Sequence, residues 1–75
     1  MNNTNLETRM MEYAKRIAEY HSWKAIEMAI YEAEVEGLHV DYVESWTHKG
    51  RGVIAPHVTV ESITDAVSVT VDLVA

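Results

Sequence analysis

The chain contains no cysteine and no phenylalanine, and only three glycines and one proline among its 75 residues. Without cysteine there is no disulfide framework and no thiolate zinc site. The scarcity of glycine and proline, beside 48% apolar and 24% charged residues, excludes disorder over most of the chain. No apolar run approaches the roughly 20 residues that span a bilayer, so no membrane partner is expected. The start, Met1-Asn2-Asn3-Thr4-Asn5, has neither a basic n-region nor an apolar h-region and does not read as a signal peptide. The expected compartment is the cytoplasm. A net charge of −6 argues against direct binding to nucleic acid, whose phosphates reward lysine and arginine.

What is present divides the chain into a helical and a β-rich half within one domain, 1–75. Residues 1–4 read as a flexible lead-in, 5–36 as helical and 38–75 as β. Between Asn5 and Glu36 there is no glycine or proline. Thr4-Asn5-Leu6-Glu7 reads as a capping box with Thr4 as N-cap. Leu6, Met10, Tyr13, Ile17 and Tyr20 recur at alternating steps of four and three, which is one face of a helix. Glu12 stands four residues before Arg16, the favourable order for an ion pair. Lys24 interrupts the stripe, so the helix is expected to break near His21 and to restart with Ser22 as N-cap. The second helix carries Trp23, Ile26, Ile30 and Ala33 on one apolar face and Met28, Tyr31 and Val35 on another. A helix apolar on two sides is normally sandwiched. The alternative is one long helix of nearly 50 Å at 1.5 Å per residue, which would require an oligomer to cover it.

Gly37 reads as the C′ glycine. Leu38, Val40, Tyr42 and Trp46 then alternate with polar residues, a half-buried strand with Glu44 as an exception on its apolar face. Thr47 to Gly52 reads as a turn and Val53 to Glu61 as a second strand, with Pro56 on a sheet edge or at a strand start. Ser62 to Asp65 is a short connection, and Val67, Val69, Val71 and Leu73 mark a third strand. The expected class is α+β, order ααβββ, with two N-terminal helices (or one long helix) packed on a small, three-stranded, mostly antiparallel sheet.

Chemical signatures are weak. His21, His39, His48 and His57 lack the i, i+4 spacing and the clustering of metal sites, and solvent-facing positions explain them better. Serines 22, 45, 62 and 68 have no nucleophile-elbow context, and no acid pair points to a catalytic cleft. No catalytic residue, metal ligand or cofactor is expected, and the chain reads as non-enzymatic. His48-Lys49-Gly50-Arg51-Gly52 is the basic cluster; its Gly-x-Gly is too short for a phosphate loop and suits a solvated hairpin tip. Of the large aromatics, Tyr13, Trp23, Tyr31, Tyr42 and Trp46 fall on expected inward faces, leaving Tyr20 as the exposed one.

Charge placement is the informative feature. From Ala25 to Thr47 there are six acids (Glu27, Glu32, Glu34, Glu36, Asp41 and Glu44) and no lysine or arginine, while the remaining six acids and six bases balance. The second helix also inverts the macrodipole rule, with Lys24 at its start and Glu32, Glu34 and Glu36 in its last turns. Each such carboxylate costs roughly 0.3–1 kcal/mol, and Glu32 and Glu36 form a like-charge i, i+4 pair. A local rule broken without local compensation points to function. These six acids are the expected contact surface for a basic protein partner, such as a nucleic-acid-handling enzyme whose phosphate-binding surface they would occupy. The composition fits small inhibitors or regulators of the phage and mobile-element type. The other expectation is a structural subunit that self-assembles into a homo-oligomer, pairing through an exposed strand edge or the helices.

Overall fold

The computed structural model describes residues 3–50 and 52–73, with 3, 4, 47 and 49 described by backbone alone. Two helices, α1 (Asn3–Glu19) and α2 (Trp23–Val35), precede five strands: β1 (Leu38–Val43), β2 (Thr47–Lys49), β3 (Gly52–Ile54), β4 (His57–Ser62) and β5 (Ser68–Asp72). Strands β1, β4 and β5 form a three-stranded antiparallel sheet in the order β1-β4-β5. Both helices lie on one face of it, α1 over β4 and β5 and α2 over β1. The fold is α+β, as the periodicities imply.

The helical break falls where Lys24 interrupts the stripe. Ser22 is the N-cap of α2, in extended backbone, with its hydroxyl accepting from the Ala25 N–H at 3.5 Å. At the other end Gly37 sits at φ +84, a left-handed conformation that glycine adopts without Cβ strain. Its N–H reaches the Glu34 carbonyl at 3.0 Å, and its own carbonyl accepts from Ile63 at 3.1 Å, which ties the helix end to the turn after β4. The α1 stripe enters the core as expected: Met10, Tyr13, Ala14 and Ile17 are buried, and Leu6 and Tyr20 are half-buried. Ile26, Ala29 and Ala33 of α2 meet them above Leu38, Val40, Val58 and Val60 of the sheet.

Several boundaries differ from the sequence reading. Helix α1 starts at Asn3, so Thr4 lies inside it rather than capping it or belonging to a flexible lead-in. Strand β1 ends at Val43, which puts Glu44, Ser45 and Trp46 in the exit segment and leaves Trp46 68% exposed. The hairpin tip expected between Thr47 and Gly52 is present but tighter than read: the flanks pair as the short strands β2 and β3, with Thr47 opposite Ile54 and Gly50 at φ +61 in the connection. The expected strand from Val53 to Glu61 is cut at Ala55-Pro56. Proline has no N–H to give a ladder, so the central strand β4 can begin only after it. Pro56 still contributes its carbonyl, which accepts from the Leu73 N–H at 3.0 Å. The segment after β4 is a hydrogen-bonded turn. It is closed by Ser62 N–H to the Val67 carbonyl at 2.8 Å and by Asp65 N–H to Ser62 Oγ at 3.1 Å.

The largest departure concerns α2. Its second apolar face is not sandwiched: Met28, Tyr31 and Val35 stand in solvent. Two layers offer α2 one buried side. The face that meets the sheet and α1 uses Ile26, Ala29 and Ala33, and nothing among the described residues lies over the other. Trp23 is also largely exposed, although its ring leans on Tyr42 with centroids 5.4 Å apart. Thus Trp23, Tyr31 and Trp46, expected inside, are outside, while Tyr20 is half-buried.

Candidate protein-docking surface

The six acids of the basic-free stretch do not form one surface. Glu32 and Glu36 lie on the side of α2 that faces α1. Glu36 forms an ion pair with Arg9 and accepts a hydrogen bond from the Tyr13 hydroxyl. Glu32 lies 3.8 Å from the Arg16 guanidinium. Arg16, which the sequence would pair with Glu12, turns instead toward α2. It donates to the Tyr20 hydroxyl at 3.2 Å and rests 5.7 Å from the centre of the Tyr13 ring. The Tyr20 hydroxyl and then Glu32 raise the Arg16 pKa above its already high ordinary value, so it stays a cation wherever the domain is folded.

Compensation for the inverted macrodipole therefore comes from another element. Cations of α1 neutralise the carboxylates at the end of α2 and close the seam between the helices. The signal that could have shown this is the phase of Arg9 and Arg16, seven residues apart and so on one side of α1.

The other four acids are exposed and scattered. Glu27 and Glu34 share the shoulder of α2 away from α1, since seven residues bring a helix back to nearly the same phase. Asp41 alternates with the buried Val40 and half-buried Tyr42, which places it on the open face of the sheet. Its cross-strand partner there is Thr59, which in turn faces Thr70, with the two hydroxyls 3.0 Å apart. Glu44 lies past the end of β1, beside grooves that include Tyr20, Trp23, Lys15 and Asp72.

The residues missed by charge reasoning are the apolar ones between the carboxylates. Met28, Tyr31 and Val35 are 56%, 66% and 69% exposed. Their steps of three and four place them on one line of α2, with Lys24 in line one turn earlier. Glu27 and Glu34 border that line on one side and Glu32 on the other. The sequence contained the signal as the second apolar face of the helix.

The histidines occupy separate places: His21 between the helices, His48 on the hairpin, and His39 and His57 on strands of the open sheet face. His57 Nδ1 is 2.7 Å from the Ala55 carbonyl. Among the described residues no three His, Asp or Glu side chains gather as metal ligands would. Ser62, the buried serine, donates to Asp65 Oδ2 at 3.2 Å and caps the turn after β4. Arg51 of the basic cluster lies outside the described residues. No described helix is long and apolar enough to cross a membrane.

In comparison with known proteins, no family model, no curated protein and no solved structure matches the chain significantly.

Proposed function

We propose that the chain is a non-enzymatic protein-binding module that docks through the outward face of α2, as a small inhibitor or regulator of its partner. The observation that carries this reading is the exposed line Met28-Tyr31-Val35, bordered by carboxylates. An amphipathic helix presenting anchors at i, i+3 and i+7 is the pattern that fits a partner's apolar groove. The border of Glu27 and Glu34 selects a groove with a basic rim, because opposed potentials steer encounter and like potentials reject it. Surfaces that are apolar at the centre and basic around it are those on which nucleic-acid-handling proteins hold bases and phosphates. Asp41 and Glu44 extend the negative field without belonging to the contact.

The test captures partners from a bacterial lysate on the native chain and on two variants. One variant carries Glu27→Gln and Glu34→Gln, the other Met28→Gln, Tyr31→Gln and Val35→Gln. The reading expects a nucleic-acid-binding protein that the native chain retains and both variants lose. Excess native chain should displace nucleic acid from it, and retention should weaken as salt rises. Retention that survives both variants, or a captured protein that keeps its nucleic acid, would count against it.

A further inference from the structure

The three-stranded sheet leaves two strand edges open among the described residues, the outer edge of β1 and the outer edge of β5. We infer that the β5 edge, together with the flank of α1 above it, is a self-complementary surface on which a second copy of this chain pairs across a two-fold axis.

The two edges differ in what a two-fold copy would bring together. Over β1, the shoulder of α2 carries Glu27 and Glu34. An antiparallel copy of that helix sets Glu27 of one chain against Glu34 of the other, twice, with no cation between them. That edge repels itself.

Over β5 the outcome reverses. Glu7, Met11 and Lys15 step along α1 by four residues on the side away from α2. With Thr8, Glu12 and Val69 they line an open groove of about 530 Å³. A two-fold axis through Met11 pairs Met11 with its own copy and places Glu7 of each chain opposite Lys15 of the other. The interval that separates the acid from the centre is the interval that separates the base from it. Because Met11 and Val69 border one groove, the same axis sets Val69 against Val69 and Ser68 against Thr70 in the joined strands. Across the residues joined in that register, Val67 to Val71, there is no charged side chain, so no like charges oppose each other along the new ladder.

Spacing agrees with the register. Helix α1 lies over β4 and β5. Strands are about 4.8 Å apart, so two such helices on a continuous sheet would run roughly 10 Å apart, within the usual interval for packed helices. Met11 and Val69, now half-buried, would be enclosed. The unpaired ladder groups of β5 would find partners in a six-stranded sheet.

The α2 face proposed above for partner binding is not used, so either idea can fail without the other. Sedimentation velocity over a concentration series on the full chain tests the pairing, with native, Glu7→Lys, Lys15→Glu and the double swap. Circular dichroism shows that each variant is folded. The native chain should sediment at twice its 8.5 kDa. Each single swap should weaken the dimer about tenfold, since one substitution makes two repulsive pairs across the axis, and the double swap should restore it. A monomer at every accessible concentration would overturn the proposal. So would a dimer indifferent to both single swaps, or one broken instead by the Met28, Tyr31 and Val35 substitutions.

Discussion

At the residue scale, Ala66 is a place where a side chain sits against its backbone preference. Its φ is +54, in the left-handed region that costs a residue with a Cβ roughly 1–2 kcal/mol. The position is forced by its neighbours. The turn after β4 must bring the Val67 carbonyl back to the Ser62 N–H, and Asp65 is already held by the Ser62 hydroxyl. Ala66 is exposed, so its methyl gains little from packing. Replacing it by glycine should therefore raise unfolding free energy in urea by about 0.5–1 kcal/mol, after the greater freedom of glycine in the unfolded chain is deducted. A loss of stability would mean that the methyl makes a contact worth more than the strain. Nothing in the sequence announces this position, because alanine carries no turn signal and the left-handed residue of a turn is usually glycine or asparagine.

At the element scale, the junction of α1 with α2 shows which features are legible in sequence. The break itself is legible because its causes are local: Lys24 is out of phase and Ser22 is able to cap. The cut in the strand at Pro56 also has a local cause: proline implies a strand start and the glycines of 50–52 imply a hairpin tip, while the three-residue strands beside that tip are too short to show an alternation of their own. The ion pairs between the helices were not legible, because they depend on how two elements pack. They make a definite demand. Glu36 both pairs with Arg9 and accepts from the Tyr13 hydroxyl, and its side chain is 32% exposed while that of Arg9 is 55% exposed. At that exposure the ion pair should contribute about 0.2–1 kcal/mol, and the hydrogen bond from a buried phenol about 1 kcal/mol more. Glu36→Ala should thus destabilise the domain by roughly 1–2 kcal/mol and Arg9→Ala by less. The double mutant should cost less than the sum of the singles. Urea unfolding of the three variants measures this, and strict additivity would show that Arg9 and Glu36 do not interact.

At the scale of the whole molecule, the decisive quantity is the number of layers. Periodicity told which residues of α2 share a face, but a face is buried only if another element covers it. Two helices on one side of three strands leave the outward side of α2 with no cover among the described residues. The charge anomaly was visible in the sequence; its division into a neutralised seam and a free shoulder was not, since that depends on where α1 lies. A stability argument separates the two parts. Met28, Tyr31 and Val35 have most of their surface in water, so changing them to glutamine forfeits little burial, and replacing β-branched valine recovers a few tenths of a kcal/mol of helix propensity. Glu34 sits in the last turn of α2, where a carboxylate opposes the macrodipole, and unlike Glu36 it points away from the arginines of α1. Changing Glu27 and Glu34 to glutamine should therefore raise unfolding free energy by about 0.3–1 kcal/mol, and the apolar triple change should move it by no more than about 0.5 kcal/mol. Residues that lower or fail to raise stability while lying together on one exposed line are what a binding surface retains at the expense of the fold. If the triple variant instead loses more than about 2 kcal/mol, these side chains are packing against something within the folded protein. The outward face of α2 would then be core rather than contact.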